Sequence, residues 1–299
     1  MNRRHLLTML ALAAPALLAP RPVLAFGSFL EELGGVVPDE VSSIFESGKK
    51  IAGGFEDITP EQEYYIGRSV AAVILSKYPY ANHRSSQKYI NILGQTLAQA
   101  SDRPETFGGY HFLVLNSDEI NALSAPGGFI FVTRGLIQCC ASEDAMAAVL
   151  AHEIGQVQRR HGLQAIQEAR ISQGVTSLAL VGTSTMSGGK LKELTKTFDS
   201  SIKDITTTMI DSGYSRSFEE EADADAVVIM QRLGYDPNAI IDMLDVMRTR
   251  FTAKSMGFAR THPSPKDRIG NVTKIIGQYK RPAVVKPRAD RFTGMIKGL

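Results

Sequence analysis

Cysteine is scarce in this chain of 299 residues, which contains only Cys139 and Cys140. Adjacent cysteines rarely form a bridge, because disulfide geometry requires their Cα atoms to be farther apart than neighbouring residues easily allow. We therefore expect two small, buried, unpaired thiols, and the sequence excludes a fold held together by a disulfide framework.

A strong net charge is also absent. The sequence has 33 basic and 31 acidic residues, which gives a formal net charge of +2 at pH 7. Three of the arginines lie within residues 1–25, which contain no acidic residue, so the remainder has 30 basic and 31 acidic side chains. Nucleic-acid-binding proteins usually carry a basic face, and this balance gives no indication of one.

Beyond the N-terminal region, the sequence lacks an apolar run of membrane-spanning length. Residues 1–25 have the parts of a signal peptide: a basic start at Arg3 and Arg4, a short apolar run, and small residues up to Ala25. The run is shorter than the roughly 20 residues that span a bilayer, which favours cleavage over a membrane anchor. Arg3-Arg4-His5 also resembles a twin-arginine export signal. We therefore expect a periplasmic protein.

The patterns that are present predict a mostly helical α+β fold with a small sheet. The stretch Thr59-Pro60-Glu61-Gln62 has the form of a helix start with a capping box. We expect a loosely structured lead-in at 26–57, a main domain at 58–280 and an extended basic tail at 281–299. Strands are predicted at 110–115, 121–124 and 129–133, and helices at 86–100, 218–233, 236–251 and 264–279, with helices or a lid over 163–213.

One further helix is apolar on nearly all sides, which is typical of a buried element. It begins after Ser142, with two acidic residues in its first turn, where the helix dipole favours negative charge. Arg159, Arg160 and His161 would form its last turn, and Gly162 can end it.

His152 and Glu153 lie inside this helix. Metallopeptidase helices carry two histidines four residues apart, because four residues turn a helix by about 400° and both rings then face one ion. A glutamate beside the first histidine can take a proton from the reacting water. Here Gln156 occupies the position of the second histidine. A His-Glu pair is common by chance, but an unpaired Glu153 would be costly in a buried helix.

Acidic residues and one more histidine could complete a site. Glu219 and Asp223 are four residues apart and share a helix face, so one could bind a metal and the other could orient a histidine. An acidic first turn that satisfies the helix dipole is the ordinary explanation. Pattern alone does not decide which acid among 219–221 points inward. His262 precedes a helix and is either an exposed histidine, a ligand or a plug over the metal.

Several stretches together resemble metallopeptidase family forty-eight, which includes CAAX prenyl proteases, HtpX-type proteases and soluble periplasmic proteases of outer-membrane quality control. The lack of later apolar spans makes the chain similar to the soluble periplasmic branch. The matching stretches follow the family's order and are 58–63, 121–128, 135–137, 142–155, 160–161, 215–223 and 261–268.

This resemblance implies a zincin-like (gluzincin) fold and one Zn²⁺ ion. It implies His152 and Glu219 as metal ligands, Glu153 as general base, and Asp223 as the residue that orients a ligand. It also implies that His262 can coordinate the metal. An edge strand would align the substrate backbone through Gly127, Gly128, Phe129, Ile130 and Phe131. Unfolded or extended polypeptides would be the substrates, and the outer-membrane assembly machinery is a candidate partner.

Gln156 departs from the family pattern, because an amide oxygen is a much poorer zinc ligand than an imidazole nitrogen. His161 lies nine residues beyond His152, about 900° of helical turn, and is therefore expected on the opposite face unless the helix breaks. With His262 as a ligand, the metal would still have three protein ligands and one open position.

Two hypotheses follow for the function. The first is a zinc endopeptidase that acts on misfolded or envelope proteins. The second is a catalytically impaired relative that holds unfolded outer-membrane proteins as a binding or chaperone-like module.

Overall fold

The computed structural model describes residues 58–172, 206, 213–250, 262, 265–283, 285–297 and 299. The expected signal peptide and lead-in lie outside these residues, as does most of the expected helical or lid region at 163–213. Within the described residues, none of the helices is long and apolar enough to cross a membrane. The elements, in chain order, are α1 (Pro60–Lys77), α2 (Arg84–Gln99), β1 (His111–Leu115), β2 (Ala122–Ala125), a 3-10 turn (Pro126–Gly128), β3 (Phe129–Thr133), α3 (Arg134–Cys139), α4 (Glu143–Gln158), α5 (His161–Ser172), α6 (Arg216–Arg232), α7 (Asn238–Arg250), α8 (Pro265–Ile276) and α9 (Lys286–Ile296).

Side-chain caps start α1 and α4 where the sequence predicts them, and start α6 two residues before its predicted beginning at 218. The Thr59 side chain accepts a hydrogen bond from the backbone N–H of Gln62, and the Gln62 side chain accepts one from that of Thr59, so α1 has its predicted capping box. Ser142 caps α4, and Ser215 caps α6 in the same way. Cys139 and Cys140 are buried and form no disulfide with each other, as expected.

The sheet is mixed and three-stranded, in the order β1-β3-β2. β3 pairs parallel to β1 and antiparallel to β2, so both of its sides are occupied. The prediction that Phe129, Ile130 and Phe131 form an edge strand is therefore wrong. All five residues of β3 are buried, and such a continuous apolar run is typical of a strand covered on both faces.

Gly127 and Gly128, expected in the substrate strand, instead form the tight connection from β2 to β3. Both have positive φ, 78° for Gly127 and 103° for Gly128, which favours glycine. A Cβ atom on Gly127 would lie 2.8 Å from the Cα of Tyr64, so the chain packs closely here. The N–H of Gly127 donates to Oε1 of Glu63 over 3.1 Å.

α4 is the buried central helix, as predicted, but it ends earlier than expected. Its last residue is Gln158; Arg160 then adopts a φ of 60°, and α5 begins at His161. Gly162, predicted to end α4, lies within α5. The guanidinium of Arg160 donates to Glu63 and to the carbonyl of Ile58, and these distant contacts stabilise the corner.

α6 packs along α4, and α7 and α8 pack against each other. The tail was expected to be extended, yet it contains α9. Phe292 and Met295 on α9 are buried. Their apolar contacts hold the helix against the protein, although the basic residues of this segment had favoured an extended tail. Arg291 of α9 also donates twice to Glu143, the first residue of α4, whose carboxylate accepts from Tyr89 and Tyr235 as well.

Candidate metal centre

Two helices that pack together, α4 and α6, and the chain before α8 bring three donor groups together. His152 comes from α4, Glu219 from the first turn of α6, and His262 from the chain before α8. One nitrogen of each histidine and a carboxylate oxygen of Glu219 all lie within 4.8 Å of one another, and all three residues are buried. Two imidazoles and a carboxylate form a donor set that catalytic zinc accepts.

A second carboxylate fixes the ring of His152. Nδ1 of His152 lies 2.9 Å from Oδ1 of Asp223, which leaves Nε2 directed at Oε2 of Glu219, 3.4 Å away. Arg268 in turn donates to both carboxylate oxygens of Asp223, over 2.9 and 2.6 Å. A hydrogen-bonded carboxylate behind an imidazole sets its tautomer and its orientation toward a metal.

The charged side chains around His152 favour a positive charge on its ring. Burial and Arg268 lower the pKa of His152, but Glu219 and Asp223 outweigh them and raise it to about 9. Burial alone would raise the pKa of Glu219, yet His262, His152 and Arg268 hold it well below its usual range. The pKa of Asp223 is also lowered, because Arg268 and His152 overcome the effect of burial. Both carboxyl groups are therefore ionised.

His262 faces the same group of side chains. Its Nδ1 lies 2.8 Å from Oε2 of Glu219, and its ring centroid is 5.3 Å from that of His152. Its Nε2 lies 3.9 Å from Oε1 of Glu153. The structure thus places His262 with His152 and Glu219, not at the exposed surface.

The carboxyl group of Glu153 is buried in the site without a hydrogen bond. Its side chain is 1 % exposed, and neither carboxylate oxygen has a hydrogen-bond partner among the described residues. A buried ionisable group without such a partner is costly, so this position points to a further polar group that the side chains do not supply. With His152 and Arg268, Glu153 borders a narrow cleft whose other walls are apolar residues of α4 and α7.

Gln156 and His161 extend the site in a way that the sequence did not predict. Nε2 of Gln156 donates to Oε1 of Glu219 over 2.9 Å, and its Oε1 lies 2.5 Å from Nδ1 of His161. The expectation that His161 lies on the opposite face was wrong, because α4 breaks at Arg160 and α5 returns the ring to Gln156. Burial lowers the pKa of His161, against the effect of nearby Glu221.

The predicted substrate residues Gly127–Phe131 lie in the central strand β3 and in the turn that precedes it. β2 is an edge strand whose four residues are all buried, and in the described part of the chain no further strand or bridge pairs with its outer side, whereas Tyr80 bridges β1 at Leu115. Ser124 and Ala125 of β2 line a cleft with Gln156. Arg268 is a site residue to which sequence reasoning gave no role; its place one helical turn after Pro265 was the available signal.

Comparison with known proteins identifies the family. The model of peptidase family M48 matches residues 84–276. The chain belongs to peptidase family M48. Within this M48 chain, the matched region contains every side chain of the three-donor group together with Glu153, Gln156 and Asp223.

Named M48 relatives are similar over most of this chain. The beta-barrel assembly-enhancing protease of Escherichia coli is 26% identical over 240 residues, which is 80% of this chain and 48% of the relative. A putative protein of that name from Vibrio cholerae is 28% identical, over 78% of this chain and 48% of the relative. The mitochondrial metalloendopeptidase OMA1 of Schizosaccharomyces pombe is 26% identical, over 76% and 65%. The chain thus spans about half the length of the first two.

Proposed function

We propose that this chain is a zinc-dependent endopeptidase that cleaves misfolded or envelope polypeptides in the periplasm. The observation that carries the proposal is the convergence of donor atoms of His152, Glu219 and His262 within 4.8 Å, beside the Glu153 carboxyl group, which has no hydrogen-bond partner among the described residues. The family supports peptide-bond hydrolysis, and the names of the bacterial relatives support a role in the cell envelope.

In this proposal, Nε2 of His152, a carboxylate oxygen of Glu219 and an imidazole nitrogen of His262 hold the ion. Asp223 and Arg268 keep the His152 ring in place. A bound zinc ion would polarise the scissile carbonyl and lower the pKa of an attacking water to about 7. Glu153 would accept the proton of that water and then donate it to the leaving amine.

We place the substrate backbone along β2, because among the described residues no further strand pairs with its outer side, and Ser124 and Ala125 line a cleft with Gln156. Pairing through main-chain groups does not read side chains, so cleavage would tolerate many sequences as long as the polypeptide is extended. Unfolded outer-membrane proteins are the proposed substrates, and the outer-membrane assembly machinery is a proposed partner.

Glu153→Gln tests the proposal. We expect this variant to bind zinc as the wild type does but to cleave an unfolded test protein at least about 100-fold more slowly, since it lacks the general base. Glu61→Gln, an exposed change of the same kind on α1, is the matched control and should leave the rate unchanged. Full proteolysis by Glu153→Gln would contradict the proposal.

One observation favours the second candidate, a metal-free binding module. Gln156 stands at the position of the second histidine of the metal-binding helix, and an amide is a much poorer zinc ligand than an imidazole. Zinc stoichiometry separates the two candidates. A wild type that lacks zinc, beside a Gln156→His variant that binds one ion, would support the binding module.

A further inference from the structure

Gln156 lies between the three-donor group and a buried imidazole. The residue is 1 % exposed. On one side its amide nitrogen lies 2.9 Å from Oε1 of Glu219 and 3.4 Å from Nε2 of His152. On the other side its oxygen lies 2.5 Å from Nδ1 of His161. The amide is therefore in contact with two proposed metal ligands and with a group that can control its orientation.

His161 is itself held in place from two directions. Its ring is fully buried and stacks on Phe218, with centroids 4.3 Å apart and planes 5° from parallel. Its Nε2 lies 3.1 Å from Oε2 of Glu221. A carboxylate only accepts hydrogen bonds, so Nε2 carries a hydrogen. The 2.5 Å contact of Nδ1 with the Gln156 oxygen is a hydrogen bond only in a ring that also carries a hydrogen on Nδ1; in the neutral ring Nδ1 has a lone pair instead.

A lone pair on Nδ1 has a consequence for Gln156, because it accepts a hydrogen bond from an amide N–H and repels an amide oxygen. A half-turn of the amide exchanges nitrogen and oxygen with little change of shape. After that turn, nitrogen donates to His161 and oxygen faces Glu219 and His152. The nitrogen-inward orientation in this structure suits two acceptors without a cation between them, and the oxygen-inward orientation suits a cation.

We infer that Gln156 is a further metal ligand through its amide oxygen, and that Glu221 and His161 are positioning residues that orient this amide. The inference rests on the proposed function and specifies its metal site, which would then have four protein donors, with the attacking water as a fifth. An amide oxygen is a harder donor than imidazole, and carbonyl oxygens suit Mn²⁺ better than they suit zinc. The site should therefore discriminate less between Zn²⁺ and Mn²⁺ than the same site with histidine at position 156.

Metal titration tests the ligand. Metal-free wild type and variants are titrated with Zn²⁺ against a chromogenic chelator, and with Mn²⁺ by following the free ion. Gln156→Leu fills the space without an oxygen, and Gln156→Asn keeps the amide but shortens its reach. We expect both to bind Zn²⁺ at least about tenfold more weakly, and Gln156→His to raise the preference for Zn²⁺ over Mn²⁺. Wild-type Zn²⁺ affinity in a folded Leu or Asn variant would overturn the inference.

A matched pair of variants tests the positioning residues. Glu220 is the neighbour of Glu221 and accepts a hydrogen bond from Asn271 instead, over 2.8 Å. We expect Glu221→Ala to weaken Zn²⁺ binding about tenfold and Glu220→Ala to leave it within about twofold. In the Gln156→Leu background, Glu221→Ala should have no further effect, because no amide remains to be oriented. Equal losses in both backgrounds would overturn the positioning role.

The titrations also separate this inference from the proposed function. A wild type that binds no Zn²⁺ would overturn both. A wild type that binds Zn²⁺ and cleaves peptides, beside a Gln156→Leu variant of equal Zn²⁺ affinity, would overturn the role of Gln156 alone.

Discussion

Glu63 offers a sharp test of how the fold holds the site. It is fully buried on α1, and its carboxylate accepts two hydrogen bonds from Arg103, one from Arg160 and one from the N–H of Gly127. It thereby ties α1 to the β2–β3 turn and to the corner that returns His161 to Gln156.

Glu63→Gln keeps the shape and removes the charge. Breaking a buried ion pair by changing one partner costs about 3–5 kcal/mol. The side chains of Arg103 and Arg160 are 22% and 32% exposed, so water can recover part of their solvation. We therefore expect a loss near the lower end, about 3 kcal/mol in the free energy of unfolding.

Urea titration of the metal-free protein, followed by far-UV circular dichroism, measures this loss as a shift of the midpoint at constant m. Glu61→Gln, exposed in the same helical turn, should change the free energy of unfolding by less than about 0.5 kcal/mol. A loss below about 1 kcal/mol for Glu63→Gln would refute the idea that its charge organises this region.

Two other predictions concern metal and pH. Removal of zinc with a chelator should lower the melting temperature, because an ion at 100 times its Kd stabilises the folded state by about 2.7 kcal/mol; equal melting curves with and without zinc would contradict the proposed site. Burial raises the pKa of Tyr110 to about 12, against nearby Arg103. Its contribution to stability is therefore complete below about pH 10 and is lost as the pH rises toward 12. The urea midpoint of Tyr110→Phe should fall less steeply over that range, and parallel curves would contradict this assignment.

Features set by local chemistry could be predicted from the sequence. Thr59, Ser142 and Ser215 start helices because their side chains cap nearby N–H groups, and that information lies within four residues. The apolar run at Phe129–Thr133 likewise predicts a strand whose bounds the structure reproduces.

Features set by distant contacts could not. The run at Phe129–Thr133 does not reveal which strands pair with it, so its central place in the sheet was missed. The break after α4 depends on contacts of Arg160 with Glu63 and Ile58, about 100 residues away in sequence. Helix α9 forms in a basic segment because Phe292, Met295 and Arg291 find partners elsewhere.

The choice of the carboxylate donor among the three acids at 219–221 also depends on distant contacts. All three are glutamates, yet Glu219 is completely buried and Glu221 is exposed beside His161. The rotation of α6 against α4 makes this choice, and it requires the packing of the two helices. The sequence could narrow the candidates for the carboxylate donor but could not select one.

The two hydrogen bonds from Arg291 to Glu143 join the last helix, α9, to the first residue of α4, the helix that carries His152. Truncation before Lys286, by proteolysis or by design, would remove Arg291. The Glu143 carboxylate would then keep only its hydrogen bonds from tyrosine hydroxyls. It would also expose the apolar surface that Phe292 and Met295 cover, and an exposed apolar patch promotes aggregation. An affinity tag therefore belongs on a spacer after α9, where it leaves the hydrogen bonds between Arg291 and Glu143 intact.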